Sequence, residues 1–139
     1  MTLNTYLVFN GNCKEAFEFY ATLLGGKIES MFTHAGSPME AQTPANWLDK
    51  IMHAHLSVGG SQLMGSDAPP DRYKTPHAFA VNIGLDDVAD AERIFQGLAE
   101  NGKIGMPIQQ TFWATRFGMV TDRFGIPWMI NCPQTGGKQ

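Results

Sequence analysis

The sequence is poor in cysteine and in positive charge, and it contains no long hydrophobic run. Its two cysteines, Cys13 and Cys132, form no C-x-x-C pair, which excludes a zinc knuckle and a thioredoxin-type motif. Ten lysines and arginines are scattered among thirteen acidic residues, and the net charge is −3, so no cationic surface is expected for a phosphate backbone or an acidic membrane. No apolar run approaches the ~18 residues of a membrane-spanning helix. Nucleic acid and membranes are therefore not expected as partners.

The first ten residues lack the basic start and the apolar segment of a secretion signal. With so little cysteine, the chain is predicted to be a reduced, cytoplasmic protein whose two thiols are buried packing groups. Its 139 residues, 43% hydrophobic and 17% charged, are typical of one globular domain, 1–139. Such a domain buries roughly two thirds of the surface of its unfolded chain.

Two segments have the apolar spacing of amphipathic helices. The first spans 13–24, begins after Asn12 as its N-cap and ends at Gly25. The second spans 87–101 and is followed by Gly102, which we expect to be its left-handed C′ residue.

Eight further segments are rich in β-forming residues and are bounded by turn residues. They span 3–9, 27–33, 51–58, 61–66, 78–85, 103–109, 117–121 and 127–132. With the helices they give the order βαβββ twice: module one is 3–67, a linker is 68–76, and module two is 77–132. Tyr20 and Phe95 lie 75 positions apart, as do Ala16 and Ala91, which supports a repeat of one supersecondary unit.

Several motifs resemble those of the PhnB-like family, within the vicinal oxygen chelate superfamily of glyoxalase I, extradiol dioxygenases and bleomycin-resistance proteins. They are Phe9-x-Gly11-Asn12-Cys13-x-Glu15-Ala16-x-x-Phe19-Tyr20, Met52-His53-Ala54, Met64-x-Ser66-Asp67-Ala68 and the stretch from Thr111-Phe112-Trp113-Ala114 to Trp128-Met129-Ile130-Asn131. The resemblance implies an α+β fold in which two βαβββ modules form a curved mixed-sheet cup with the helices outside, and a homodimer. Some family members are labelled 3-demethylubiquinone methyltransferases, but no glycine-rich loop for a nucleotide cofactor follows a strand here.

The resemblance also implies positions for a divalent metal, which superfamily enzymes hold with His or Glu side chains. Counting fifteen residues back from the helix tyrosine gives Thr5, and its repeat equivalent is Ala80. The third position is Met129, and the fourth lies near Gln62 or Met64. None of these side chains is a carboxylate or an imidazole, the donors that such cations need. We therefore predict no metal at the usual site and no other cofactor.

Strand alternation places His53, His55 and Ser57 on one face of strand 51–58, while its apolar residues pack on a helix. The face that carries the two histidines is expected to line the cup. The two imidazoles are about 7 Å apart at their Cα atoms, near enough to share a small anion, a proton or a metal. An alternative interpretation, favoured to the same degree, is that they are hydrogen-bonded histidines that face water or a partner subunit. Asp67 either orients one of them or caps the turn at Pro69-Pro70, and the turn is favoured.

In module two, the large residues Phe79, Val81 and Ile83 are expected to pack on the helix. The opposite face then carries Ala80, Asn82 and Gly84, which leave room for a ligand.

Trp113 and Arg116 are predicted to lie in a loop, where they would grip a flat or acidic small molecule. For Trp113, a role in the core or in a dimer contact is an alternative favoured to the same degree as ligand binding. Trp128 is expected in the core, and His77 at the end of the linker, packed or solvated, because its parity differs from that of Ala80.

Three functions remain open after these observations. The first is a homodimeric protein that binds a small molecule in the cup, through His53, His55, Trp113 and Arg116, without chemistry. The alternative is a metal-dependent lyase, isomerase or dioxygenase whose site has moved to His53 and His55, completed by Asp67. The third is a structural or interaction module whose cup is filled by its own side chains.

Overall fold

The computed structural model of the chain describes residues 1–134. These residues divide into two compact units, Met1–Lys74 and a second unit that begins at Thr75. The boundary falls within the predicted linker, 68–76. Each unit has the element order βαβββ.

Unit one contains one helix and a sheet of four strands, which we call sheet one. Its elements are β1 (Thr5–Phe9), α1 (Cys13–Leu24), β2 (Lys27–Thr33), β3 (Ile51–Val58) and β4 (Ser61–Asp67). The strand order is β1-β4-β3-β2, with β1 parallel to β4 and the other pairs antiparallel. Two short 3₁₀ turns, Glu40–Gln42 and Ala45–Trp47, lie in the polar excursion between β2 and β3.

Unit two repeats this arrangement in sheet two. Its elements are β5 (Val81–Gly84), α2 (Val88–Ala99), β6 (Lys103–Gln109), β7 (Ala114–Thr121) and β8 (Pro127–Pro133). The strand order β5-β8-β7-β6 matches that of sheet one, again with one parallel pair, β5 and β8. The predicted α+β fold with two βαβββ modules is confirmed.

Each helix packs on one face of its own sheet, and a glycine makes the contact close in both units. In unit one, a Cβ on Gly65 would lie 2.8 Å from the ring of Phe17 on α1. In unit two, a Cβ on Gly118 would lie 2.7 Å from the ring of Phe95 on α2. Because real Cβ contacts are longer, the aromatic ring of each helix rests directly on the sheet backbone. Gly65 and Gly118 therefore mark the helix-facing side of their sheets.

The helix ends differ from the sequence prediction in two places. Asn12 makes no side-chain hydrogen bond as N-cap of α1, although the expected left-handed C-cap at Gly25 is present with φ 70°. In α2, Asp87 caps the start by accepting a hydrogen bond from the Asp90 N–H. At its end the left-handed residue is Asn101, with φ 58°, so the prediction of Gly102 as C′ residue is wrong.

Three strand starts also differ from the prediction: β1 begins at Thr5 rather than at residue 3, and the starts of β5 and β7 differ by three residues each. β5 begins at Val81 rather than at 78, because Ala78 takes a left-handed conformation with φ 64°, which interrupts an extended strand. Phe79 consequently lies before the strand and is 48% exposed instead of packing on the helix. β7 begins three residues earlier than predicted, at Ala114, which changes the placement of Arg116.

Both cysteines are buried and unpaired, as predicted: Cys13 is 0% and Cys132 is 1% exposed. Burial raises the pKa of the Cys13 thiol, and the Asp67 carboxylate raises it further. Burial also raises the pKa of Cys132. The two thiols therefore stay protonated near neutral pH and act as packing groups. Among the helices of residues 1–134, none has the length and the apolar character needed to cross a membrane.

Candidate functional site

The face of sheet one that points away from α1 carries the predicted histidines, and we call it the open face of sheet one. His55 pairs with Met64 of β4, and Met64 pairs in turn with Tyr6 of β1. Paired residues share a face, so these three side chains form one row. The neighbouring rows add His53 and Ser57, which share the face of His55 through strand alternation. The strands therefore bring both histidines together with a tyrosine.

Tyr6 and His53 make the main contact across this face. The Tyr6 hydroxyl lies 3.2 Å from His53 Nδ1, and the two ring centroids are 5.8 Å apart. Tyr6 is 46% exposed, and His53 is half-buried. Because Tyr6 belongs to an edge strand and His53 to a central strand, the contact spans three strands. It leaves a phenol and an imidazole partly accessible side by side.

The other histidine has a different partner. His55 Nε2 contacts Gln62 Oε1. This contact lies near the hairpin that joins β3 to β4. Beside it, the Ser57 hydroxyl donates a hydrogen bond of 2.6 Å to Glu29 Oε2. That bond, with the nearby Lys27 ammonium, lowers the pKa of Glu29. The face thus offers several hydrogen-bonding side chains and one carboxylate that is already paired.

Asp67 does not join the histidines. It is 4% exposed, and its Oδ1 accepts hydrogen bonds from the N–H groups of Gly11 and Cys13 at 2.9 and 3.0 Å. Its Oδ2 accepts a bond of 2.9 Å from the Ile51 N–H. Asp67 thus holds the start of α1 against the start of β3. Both sequence interpretations, the orientation of a histidine and the Pro69-Pro70 cap, are corrected by these bonds.

Arg116 lies in β7 rather than in a loop, and it points towards the helix. It pairs with Cys132 on the helix-facing side of sheet two, and its Nε is 3.0 Å from Glu92 Oε1 of α2. Its Nη1 donates to the Thr115 carbonyl at 2.7 Å. The guanidinium therefore already binds Glu92 of α2 and a backbone carbonyl. This geometry does not support the predicted binding of an acidic ligand by Arg116.

Trp113 lies just before β7 in a group of three aromatic rings. Its centroid is 4.8 Å from Phe112 and 5.3 Å from Phe117, both in edge-on geometry. Trp113 is 37% and Phe112 is 89% exposed, whereas Phe117 is 9% exposed. Trp128, in contrast, is 1% exposed and donates its indole N–H to Asp122 at 2.8 Å. The prediction of Trp128 as a core residue is confirmed.

The positions that the resemblance gives for a metal do not supply its donors. Thr5 shares the alternation of Leu7 and Phe9, which are buried on the helix-facing side, so the count that selected Thr5 misses the open face by one residue. Met129 pairs with Asn82 on the side of sheet two away from α2, but a thioether is a poor ligand for hard cations. Within residues 1–134, no group of three or more His, Cys, Asp or Glu side chains is arranged to hold a metal ion.

Sequence reasoning missed Tyr6, the partner of His53, and considered Gln62 only as a metal position rather than as the partner of His55. Tyr6 lies in a short, mostly apolar strand, and its hydroxyl is brought beside His53 only by the pairing of β1 with β4. The exposed His77 lies outside this group, and its Nδ1 is 3.4 Å from the Thr75 carbonyl oxygen.

Comparison with known proteins agrees with this architecture. The family model described as Glyoxalase/Bleomycin resistance protein/Dioxygenase superfamily matches residues 2–130. The chain belongs to this superfamily. Protein YjdN of Escherichia coli strain K12, a superfamily relative, is 39% identical over 139 residues, which cover 94% of this chain and 95% of YjdN.

Two solved structures share the superfamily fold with the chain. Protein PA1353 from Pseudomonas aeruginosa is 48% identical, with a TM-score of 0.88 over 97% of this chain and 99% of that one. A PhnB protein from Bacillus cereus, described as a putative 3-demethylubiquinone-9 3-methyltransferase, is 22% identical, with a TM-score of 0.80 over 95% of this chain and 99% of that one. At that identity the second likeness shows the fold alone. The PhnB-like resemblance seen in the sequence is confirmed at the level of the superfamily.

Proposed function

We propose that this superfamily member binds a small organic molecule on the open face of sheet one and does so without a divalent cation. The observation that carries the proposal is the Tyr6–His53 contact, 3.2 Å between Tyr6 OH and His53 Nδ1, on a face that remains partly exposed. An aromatic surface with a few placed polar groups is typical of small-molecule sites.

The donor set favours hydrogen bonding over metal chemistry. A catalytic zinc ion typically takes three strong protein ligands and keeps an open position. His53 and His55 contact Tyr6 and Gln62 respectively, and Asp67 is committed to three backbone amides. The enzyme alternative, with a relocated site at His53, His55 and Asp67, is therefore not favoured. A homodimer and a cytoplasmic location remain part of the proposal.

The test combines ligand screening with metal analysis of the untagged protein. A panel of planar phenols, aromatic carboxylates and aliphatic amines is screened by thermal shift, with and without EDTA. We expect at least one class to raise Tm equally in both conditions. His53→Ala should remove that shift, whereas His77→Ala, which changes an exposed histidine outside the face, should retain it.

Two results would overturn the proposal. One is a ligand shift that disappears with EDTA or that needs a stoichiometric metal retained through purification. The other is a shift that His53→Ala and Tyr6→Phe both leave unchanged, because binding would then lie elsewhere on the chain. A ligand that is turned over only with added metal would favour the enzyme alternative instead.

A further inference from the structure

A cleft beside the edge strand β2 has no part in the proposed function. Its volume is about 530 Å³, within the range of about 300–1,000 Å³ that small-molecule sites occupy. The walls are the end of β2 (31–33), the turn 35–38 and Met52 of β3. All of these residues belong to unit one, so one module by itself forms the cleft.

Strand pairing shows on which side of sheet one the cleft lies. Met31 pairs with Ala54, and Ala54 pairs with Gly65, which meets the Phe17 ring of α1. Because paired residues share a face, Met31 lies on the helix-facing side, opposite to the histidines. Phe32, which is 54% exposed, follows on the other face. The cleft therefore extends round the edge of the sheet from its helix-facing side.

Met52 reaches the cleft at an irregularity of the β2–β3 ladder. Phe32 pairs with His53 and Thr33 pairs with Ile51, which leaves Met52 without a partner in the ladder. An extra residue of this kind forms a β-bulge, and bulges redirect a side chain and are frequent beside functional sites. One of the two thioethers in the cleft is therefore supplied by the bulge.

The polar groups of the cleft wall are already hydrogen-bonded within the turn. The hydroxyls of Thr33 and Ser37 donate to backbone carbonyls of residues 34 and 35, at 3.2 Å for Thr33 and 2.7 Å for Ser37. The Gly36 N–H donates to Glu40 Oε1. The lining residues, all within the described residues 1–134, include no charged side chain. The wall therefore offers a ligand apolar contacts rather than ionic ones.

We propose that this cleft binds an uncharged apolar ring, of the aromatic hydrocarbon class, as a second ligand site of the chain. Met31 and Met52 are half-buried, and thioether side chains adapt to the shape of a ligand and contact aromatic rings favourably. A charged or strongly hydrogen-bonding group would lose its water without gaining a partner there. The site goes beyond the proposed function, which uses hydrogen-bonding groups on the open face of sheet one.

The experiment titrates the full chain, labelled with ¹³C at its methionine methyl groups, with toluene, phenol and benzoate. The three probes share one ring and differ in a methyl, a hydroxyl and a carboxylate. Affinities are determined from the Met31 and Met52 signals, which we expect toluene to shift while the Met129 signal of sheet two stays in place. Toluene should bind roughly tenfold more tightly than phenol and more tightly still than benzoate, because the cleft has no partner for their polar groups.

Two variants alter the cleft and a third is their control. Ala35→Leu narrows the cleft and should lower the toluene affinity at least tenfold; Ala35 is exposed, and its N–H bond of 2.9 Å to the Leu48 carbonyl does not involve the side chain. Met52→Gln keeps the side-chain length but replaces the thioether with an amide, and should lower the affinity severalfold. Met39→Leu changes a methionine that is 50% exposed outside the cleft and should retain the affinity. If Ala35→Leu fails to fold, the ranking of the three probes on the unaltered chain still decides the inference.

The inference is overturned if toluene gives no response, or if it shifts Met64 of the open face of sheet one but neither Met31 nor Met52. Equal affinities for toluene and benzoate, or a toluene affinity that Ala35→Leu and Met52→Gln both leave unchanged, also overturn it. The proposed function fails on a different readout, when no ligand responds to His53→Ala or Tyr6→Phe. Toluene binding that His53→Ala retains would support the inference whether or not the proposed function stands.

Discussion

The two modules share one topology, but each uses its buried carboxylate differently. In module one, Asp67 accepts hydrogen bonds from residues 56, 54 and 16 positions away, and so joins the start of a helix to a strand. In module two, Asp122 accepts from the N–H groups of Phe124 and Ile126 and from the Trp128 indole, all within six positions. A repeated fold therefore does not require a repeated internal connection.

The modules also differ in how their helices begin. α2 is capped by its own Asp87, the local device that sequence patterns reveal. α1 lacks a side-chain cap from Asn12 and depends on Asp67, which arrives from the far end of the module. The start of α1 is thus stabilised only when β4 is folded beside it. The start of α2 is stabilised by a residue directly before that helix.

The largest effect is expected from Asp67→Ala. This change leaves three buried backbone N–H groups without an acceptor, in segments that cannot relax together, and should lower the free energy of unfolding by about 3–5 kcal/mol. Asp122→Ala removes bonds within a single turn, which relaxes locally, and should cost about 2–3 kcal/mol. Urea unfolding measures both. A loss below about 1 kcal/mol for Asp67→Ala would remove the distinction between the modules.

The glycines under the two helices test the feature that the modules share. Gly65→Ala and Gly118→Ala should each cost about 1–3 kcal/mol, because a Cβ must displace an aromatic ring and nearby backbone. Gly84→Ala is the matched control, since its Cβ meets no atom within 4 Å, and it should change the stability by less than about 0.5 kcal/mol. Equal effects at all three positions in thermal unfolding would contradict the close helix–sheet contact.

The two buried thiols provide the comparison between the modules with the smallest expected effect on the free energy of unfolding, and this effect arises at alkaline pH. Because burial, reinforced by Asp67, raises the pKa of Cys13 above its ordinary value of 9.0, the unfolded chain loses this proton first. The stability that the thiol contributes is therefore complete below pH 9 and declines above it, by about 1.4 kcal/mol per pH unit. Cys13→Ala should flatten the alkaline loss of stability.

Cys132→Ala provides the comparison for Cys13. Its pKa is also raised, by burial and by the nearby Asp86 and Asp87 carboxylates, but Arg116 acts in the opposite direction, so we expect a smaller flattening. Urea unfolding between pH 8 and 10.5 measures the two slopes. If Cys13→Ala follows the parent curve throughout, the raised pKa of Cys13 is refuted.

Local patterns were sufficient for much of the fold. The bounds of α1, β2, β3 and β6 agree with the sequence prediction, because apolar periodicity and turn residues act within a few positions. Two of the wrong predictions concern where strands begin. The left-handed Ala78 shortened β5, and the early start of β7 carried Arg116 from a loop onto the helix-facing side.

The candidate site was less accessible to prediction. Alternation along β3 placed His53 and His55 on one face, but their partners Tyr6 and Gln62 depend on register between strands. An error of one residue in β1 moves a side chain to the opposite face, and this is how Thr5 was selected.

The sequence by itself determined the repeated βαβββ order, the two helices and the buried thiols, because each follows from residues close together in the chain. Only the tertiary structure decided which side chains meet. In the folded chain, Asp67 binds the start of α1, Arg116 pairs with Glu92, and Tyr6 contacts His53. Such contacts join residues far apart in sequence, and they are set by strand register and packing, which the chain specifies only when it is folded as a whole.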